Sequence, residues 1–200
     1  MIVDSSIFIS YNTCGEKNMN ELQLDLQLLV RPNILNLTPY RCARDDYSED
    51  ANECSYGSCI PLDGDMHRYP SPYNLDLKEK IAKFRGVRKE QVFLGVGSDE
   101  AIDMVVRVFC TLVRESLLIT PPTYGMYKVV ADINNIKVIG VPLTEEFHYQ
   151  LKRCWKLLTP QTHVIFCAHP TTQQEIVWPQ TASLHLERFS RIVVVDEAYC

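Results

Sequence analysis

The sequence predicts an α/β fold with a mostly parallel sheet and helices on both of its faces. From residue 75 onward, short apolar segments typical of strands alternate with amphipathic helical segments. Such alternation indicates βαβ units. The last strand, from Ile192 to Val195, is a continuous run of β-branched residues, which is typical of a strand buried on both faces of a parallel sheet.

Composition limits the kinds of partner that the chain can have. The 200 residues are 46% hydrophobic and 22% charged, with a net charge of -5. These values are typical of a globular domain and argue against a nucleic-acid surface. We therefore expect no nucleic-acid partner. No apolar run approaches the roughly 20 residues that span a bilayer, so we also expect no membrane partner. The eight cysteines show no metal-ligand spacing. We therefore expect no metal. Because the N-terminal residues do not resemble a signal peptide, we expect reduced thiols and a cytoplasmic location.

The N-terminal part shows little regular pattern. Residues 1–30 are expected to form a poorly ordered arm that ends in a short helix, since the proline of Arg31-Pro32 disfavours helix at the residue before it. A polar, acidic and turn-rich segment follows up to residue 74. The first clear helix runs from Leu75 to Phe84 and is stopped by Gly86.

The remaining elements follow from periodicity and from turn residues. The predicted strands are Gln91–Leu94, Ser116–Thr120, Lys137–Val141, Thr162–Cys167 and the segment that begins near Ile192. The predicted helices are a long one that Ser98 caps, then Tyr124–Asp132, Leu151–Leu158 and Leu184–Phe189.

Three groups of residues fall at the carboxyl ends of predicted strands, where open α/β sheets bind ligands. Residues 95–100 read Gly-Val-Gly-Ser-Asp-Glu between a strand and a helix, a geometry that can cradle a phosphate. Tyr124 can stack on a planar ring, and Asp196 can face a cationic ring nitrogen, a metal or a ribose. A plain glycine turn, a core tyrosine and a helix cap are the structural alternatives for these three groups.

A planar cationic ring that carries a phosphate would satisfy all three groups, and protonated pyridoxal 5'-phosphate has that chemistry. A Rossmann-type nucleotide binder is a second hypothesis. The sequence has Glu100 where the dinucleotide fingerprint needs its third glycine, which argues against that hypothesis.

Several motifs, taken in order, resemble those of histidinol-phosphate aminotransferase, a fold-type-I, class-II family of pyridoxal-phosphate enzymes, in a form similar to the fungal one. The motifs that carry the resemblance are Arg31–Ile34, Thr38–Tyr47, Asp50–Glu53, Arg68–Pro70, Gly95–Ile102, Pro121–Tyr127 and Asp196–Tyr199.

The resemblance implies roles for individual residues in holding the cofactor. The backbone N–H groups of Ser98, Asp99 and Glu100 would hold its phosphate, Tyr124 would stack on its ring, and Asp196 would pair with the pyridine nitrogen.

The resemblance implies further contacts around the same ring. Tyr199 would bond the phenolic oxygen of the ring, and Tyr56 would reach the phosphate across the interface of a homodimer. Tyr40 and Asn52 would line the substrate pocket. The implied reaction moves an amino group between L-histidinol phosphate and 2-oxoglutarate in histidine biosynthesis.

The sequence also departs from the family pattern. The family's Schiff-base lysine lies beyond the motif at Asp196–Tyr199, so we expect no catalytic residue in this chain, a truncated large domain and no activity from the chain alone. The family's Asn-Pro-Thr-Gly turn is replaced by Cys167–Gln174, which weakens one expected cofactor contact. A non-catalytic remnant or interaction module that binds pyridoxal phosphate or another phosphate ligand therefore stays open, as does pairing with a full-length subunit. This chain alone is not expected to complete the family homodimer.

The resemblance suggests a division into three parts. Residues 1–30 would form the arm, residues 31–74 would contribute to a small domain and a substrate lid, and residues 75–200 would form an incomplete cofactor-binding large domain.

Overall fold

The computed structural model of the chain describes residues 2–3, 7–10, 26–38, 53–60, 67–168 and 191–198. The chain divides into two compact units, one made of Met1–Asn36 with Gly95–Cys200 and the other of Leu37–Leu94. These divisions fall after residues 36 and 94, whereas the sequence suggested divisions after residues 30 and 74.

The regular elements of the described residues follow the predicted alternation of strands and helices. The strands are β1 (Ile2–Val3), β2 (Ile7–Ser10), β3 (Val92–Phe93), β4 (Ser116–Ile119), β5 (Lys137–Gly140), β6 (Thr162–Ala168) and β7 (Ile192–Asp196). The helices are α1 (Leu26–Leu29), α2 (Pro32–Leu35), α3 (Leu75–Arg85), α4 (Gly97–Phe109), α5 (Met126–Ile133) and α6 (Leu151–Leu157). The helix predicted at Leu184–Phe189 lies outside the described residues.

The sheet of the first unit is mostly parallel, as predicted. Its described strands follow the order β1-β2-β7-β6-β4-β5. The pairs β4 with β5, β4 with β6 and β6 with β7 are parallel. The carboxyl ends of four strands therefore meet at one edge of the sheet. Helix α5 connects β4 to β5, and helix α6 connects β5 to β6.

Two strands lie in the segment that the sequence suggested as a poorly ordered arm. β1 pairs with β2, and β2 pairs antiparallel with β7, so that Ile7 lies opposite Asp196 and Ser10 opposite Val193. The segment is too short and too irregular in sequence to reveal this pairing, because the hydrogen bonds that make it come from a strand almost 190 residues away.

The core of the first unit is built by the central strands and by the apolar face of α4. Strands β4, β6 and β7 are buried along most of their length. For β7 this confirms the prediction of a strand covered on both faces. Four residues of α4, at positions 101, 102, 105 and 106, are buried with them. Their spacing is that of one helical face.

In the second unit, α3 has the predicted position, but most of its apolar residues are not buried. It ends at Gly86, whose φ of 67° suits a residue without a side chain. Ala82 is its buried residue, whereas Leu75, Leu77 and Phe84 are exposed. None of the helices among the described residues is long and apolar enough to cross a membrane.

Candidate functional site

The glycine-rich turn before α4 has a helix cap that differs from the predicted one. The prediction that Ser98 caps the helix is wrong: α4 begins at Gly97, Val96 is the capping position, and no side chain caps it there. Instead, the carboxylate of Glu100 accepts a hydrogen bond from the backbone N–H of Val96. Gly97 has a φ of 76°, a conformation that is strained for any residue with a Cβ.

This start of α4 leaves a defined set of backbone donors. Counting from Val96 as the cap, the N–H groups of Gly97, Ser98 and Asp99 have no acceptor within the helix. The N–H of Glu100 is the first that can reach back to the Val96 carbonyl. Glu100 therefore contributes to the turn through its carboxylate, and the donors available to an anion are those of residues 97 to 99.

Two carboxylates stand in the same turn and would repel an anion if they faced it. Asp99 accepts a hydrogen bond from the Tyr124 hydroxyl at 3.0 Å, and Glu100 accepts the one from Val96. Each negative charge is thus directed to a donor of the chain itself. The helix dipole also stabilises acids in the first turn, so the turn can keep both acids and still present N–H groups to an anion.

Tyr124 lies between the turn and the rest of the site. It precedes α5, with 44% of its surface exposed, and its hydroxyl binds Asp99. Its ring meets the ring of Tyr127 edge to face, with centroids 5.8 Å apart and an interplanar angle of 86°. The hydroxyl contact fixes the ring beside the turn and leaves part of the ring accessible to a ligand.

Tyr127 connects this aromatic pair to the acid at the end of β7. Its hydroxyl donates to Oδ2 of Asp196 at 2.6 Å, and its ring is stacked on Phe166 with centroids 4.6 Å apart. Burial and then the hydrogen bond to Asp196 raise the pKa of Tyr127, so the phenol is a proton donor at neutral pH. The sequence reasoning did not single out Tyr127. Its signal was a second tyrosine three residues after Tyr124 in the same motif.

Asp196 is the last residue of β7 and is only 7% exposed. Its Oδ1 accepts the backbone N–H of Ala198 at 3.1 Å, and its Oδ2 accepts the Tyr127 hydroxyl. A buried carboxylate needs such donors, because burial without them disfavours its charged form. Hydrogen bonds thus join Asp99 to Tyr124 and Tyr127 to Asp196, and the ring contact joins the two pairs.

Three further side chains lie near the carboxyl edge of the sheet. The Tyr149 hydroxyl donates to the Ala168 carbonyl at 2.6 Å and so holds the end of β6. The hydroxyl of Thr123, next to Tyr124, is buried and has no hydrogen-bond partner within the part of the chain that the structure describes. Cys167, near the end of β6, is buried, and burial raises the pKa of its thiol to about 12.

The structure does not test the other predicted site residues. Tyr56 belongs to the second unit and is fully exposed. Tyr40, Asn52 and Tyr199 lie outside the described residues. Over the described ranges there is no group of three or more His, Cys, Asp or Glu side chains that could hold a metal ion.

Solved structures share the fold of part of this chain. A protein from Erwinia carotovora atroseptica, provisionally named histidinol-phosphate aminotransferase, has a TM-score of 0.50 over 57% of this chain and 33% of its own, at 21% identity. Cystalysin from Treponema denticola, whose structure contains pyridoxal 5'-phosphate, has a TM-score of 0.50 over 60% of this chain and 32% of its own, at 14% identity. At these identities the likeness concerns the fold.

Curated relatives at higher identity are histidinol-phosphate aminotransferases. The enzyme of Christiangramia forsetii is 38% identical, with 88% of this chain and 51% of the relative covered. The enzyme of Schizosaccharomyces pombe is also 38% identical, over 88% of this chain and 50% of its own. The chain therefore spans about half the length of the curated relatives it matches. The resemblance to this enzyme is confirmed, and it supports pyridoxal 5'-phosphate as the cofactor.

The family model described as aminotransferase class I and II matches residues 46–200. That range contains the glycine turn, both tyrosines and the acid that the structure brings together. The chain belongs to the class I and II aminotransferases.

Proposed function

We propose that this chain is the cofactor-holding part of a histidinol-phosphate aminotransferase, which moves an amino group between L-histidinol phosphate and 2-oxoglutarate. The names of the curated relatives support histidinol phosphate as one substrate, and 2-oxoglutarate is the partner substrate that the family resemblance implies. The observation that carries it is the continuous connection from Asp99 through Tyr124 and Tyr127 to Asp196. That connection links a set of anion donors to a buried acid by way of a partly open aromatic face.

The residues present fit pyridoxal 5'-phosphate. The N–H groups of Gly97, Ser98 and Asp99 would receive the phosphate, because they lack intrahelical acceptors and lie at the positive end of the helix dipole. The face of Tyr124 would lie against the ring, and the carboxylate of Asp196 would accept a hydrogen bond from the protonated ring nitrogen. When bound, the cofactor supplies an electron sink for cleavage of bonds at the amino carbon.

The chain itself binds and orients. Gly97 permits the turn that aims the three N–H groups outward, and the strand end at Asp196 fixes the second anchor point. An acid and an anion cradle at opposite ends of one planar ligand define its position and its direction. Such prior alignment is a large part of what a protein contributes to cofactor chemistry.

We expect the 200-residue chain alone to bind the cofactor without turnover. Of its lysines in the described residues, Lys78 is half-buried, the others are exposed, and Lys128 pairs with Asp132 at 2.5 Å. We propose that a homodimer in which Tyr56 reaches the phosphate of the partner site, with Tyr40 and Asn52 in the substrate pocket and Tyr199 on the ring oxygen, completes the enzyme. We also propose a cytoplasmic location, which the free thiols of Cys54 and Cys59 support.

The test is a titration of the purified chain with pyridoxine 5'-phosphate and with pyridoxine. Both ligands keep the ring nitrogen, and neither has an aldehyde that could react with exposed lysines. We expect the phosphorylated ligand to bind at least about tenfold more tightly, since charge-assisted hydrogen bonds contribute about 1.5–3 kcal/mol. A glutamate assay with pyridoxal 5'-phosphate, L-histidinol phosphate and 2-oxoglutarate should show no turnover.

Equal affinity for the two ligands would remove the phosphate cradle from the proposal, and no affinity for either would refute cofactor binding. Turnover by the chain alone would contradict the expectation that it holds the cofactor without catalysing.

A further inference from the structure

Tyr127 is the part of this site that neither the cofactor nor the substrate would touch, yet it is the most tightly held. It is fully buried, and three contacts fix it. Its ring lies parallel to Phe166 within 14°, its edge meets Tyr124, and its hydroxyl binds Asp196. With the ring fixed on two sides, the hydroxyl oxygen has a fixed position beside Asp196.

The position of the Tyr127 hydroxyl determines the orientation of the Asp196 carboxylate. Asp196 has two carboxylate oxygens, and each accepts one donor of the chain, Ala198 N–H on Oδ1 and Tyr127 O–H on Oδ2. A carboxylate held by two donors on different oxygens cannot rotate about its Cβ–Cγ bond without losing one of them. The remaining lone pairs therefore have fixed directions, which suits an acceptor that must meet one N–H of a planar ring.

The two donors to Asp196 come from different parts of the chain. Ala198 N–H is two residues from Asp196 along the chain, so this contact belongs to the strand end itself. Tyr127 comes from α5, 69 residues away. Because Tyr124 precedes the same helix and binds Asp99, one segment fixes both the ring-stacking residue and the acid. Displacement of α5 would disturb both anchor points at once.

We propose that Tyr127 is a positioning residue for cofactor binding: its buried hydroxyl holds the Asp196 carboxylate in the orientation that receives the protonated ring nitrogen. This inference rests on the proposed function. Burial keeps the phenol protonated by raising the pKa of Tyr127, so it always donates and never places a second negative charge beside Asp196.

The experiment compares two ligands in two matched variants. The ligands are pyridoxine 5'-phosphate and its 1-deaza analogue, in which C–H replaces the ring nitrogen. Tyr127→Phe removes the hydroxyl and keeps the ring on Phe166. Tyr149→Phe removes another hydroxyl of the carboxyl edge, the one that donates to the Ala168 carbonyl.

We expect Tyr127→Phe to weaken the binding of pyridoxine 5'-phosphate about tenfold, the effect of one charge-assisted hydrogen bond, and to weaken binding of the deaza analogue about twofold or less. Tyr149→Phe should change the two affinities by the same factor. Equal losses for both ligands in Tyr127→Phe would mean that the hydroxyl serves packing only, which would overturn the role given to Tyr127 and leave the proposed function standing. Absence of binding by the wild-type chain would overturn both.

A second measurement needs no ligand. Unfolding equilibrium constants of Tyr127→Phe, Asp196→Asn and the double variant should show a coupling factor of about ten, as expected for two groups in one buried hydrogen bond. A coupling factor near one would mean that Tyr127 does not hold Asp196 in solution, and the proposal would fall.

Discussion

Acidic and hydroxyl side chains lie at both the amino end and the carboxyl end of the sheet in the first unit, but their hydrogen bonds serve different purposes at the two ends. At the amino end, Glu115 accepts the N–H of Thr111, the Nδ1 of His163 donates to the Phe109 carbonyl at 2.9 Å, and Ser116 donates to Thr162 at 3.2 Å. These polar groups bind backbone and one another, and so close the junction between α4 and the first residues of β4 and β6.

At the carboxyl end, the acids have hydrogen-bond donors, and other groups remain available to bind a ligand. Asp99 and Asp196 have donors of the chain, while the first N–H groups of α4 have no acceptor within the helix and part of the Tyr124 ring is exposed. The comparison teaches that an acid or an aromatic residue at a strand end is not by itself a sign of function. The carboxyl end is distinguished by the first backbone N–H groups of α4, which have no acceptor within the helix.

The largest expected effect concerns the packing beneath the carboxyl end. Phe166→Ala removes the ring on which Tyr127 is stacked, and we expect the free energy of unfolding to fall by about 3–5 kcal/mol, as for other buried aromatic residues. Urea unfolding measures it. The matched control is Phe84→Ala in the second unit, where 83% of the side chain is exposed, and its effect should stay within about 0.5 kcal/mol. Similar losses in the two variants would contradict the described burial.

A smaller effect on the free energy of unfolding is expected from one threonine-to-valine substitution at each end of the sheet. Thr162 at the amino end accepts from Ser116 and from the N–H of Thr159, so Thr162→Val should lower the free energy of unfolding by about 1–3 kcal/mol. Thr123 at the carboxyl end has a buried hydroxyl without a partner in the described residues.

Thr123→Val should therefore leave the free energy of unfolding unchanged or raise it, because it removes a buried polar group that makes no hydrogen bond there. Thermal or urea unfolding of both variants provides the comparison. A larger loss for Thr123→Val than for Thr162→Val would show that the assignment of satisfied and unsatisfied groups to the two ends is wrong.

Sequence patterns predicted the parts of the fold that depend on local periodicity. The run from Ile192 to Val195 predicted a buried strand, and the spacing of apolar residues predicted α4 and its buried face, because burial on one or both faces selects those patterns directly. The position of Asp196 at a strand end followed from the same pattern.

Contacts between distant residues could not be predicted in this way. The pairing of β2 with β7 and the hydrogen bond between Tyr127 and Asp196 each join residues far apart in sequence. The carboxylate of Glu100, rather than the side chain of Ser98, accepts a hydrogen bond in the turn before α4, because the helix begins two residues earlier than a Ser98 cap requires. A serine before a helical pattern cannot distinguish these two starts. The exposure of Leu75, Leu77 and Phe84 in α3 also could not be predicted, because periodicity shows an apolar side of a helix and not whether another element covers it.

The central claim is that the carboxyl end of this sheet, and not its amino end, receives a ligand with a cationic ring. The most direct measurement is the dissociation constant of pyridoxine 5'-phosphate for Asp196→Asn and for Glu115→Gln, two acid-to-amide changes at opposite ends of the same unit. We expect Asp196→Asn to weaken binding by about tenfold or more, since it removes the charge opposite the ring nitrogen, and Glu115→Gln to change it by less than about twofold, as for a residue that the ligand does not meet. Unchanged affinity in Asp196→Asn, or an equal loss in both variants, would contradict the claim.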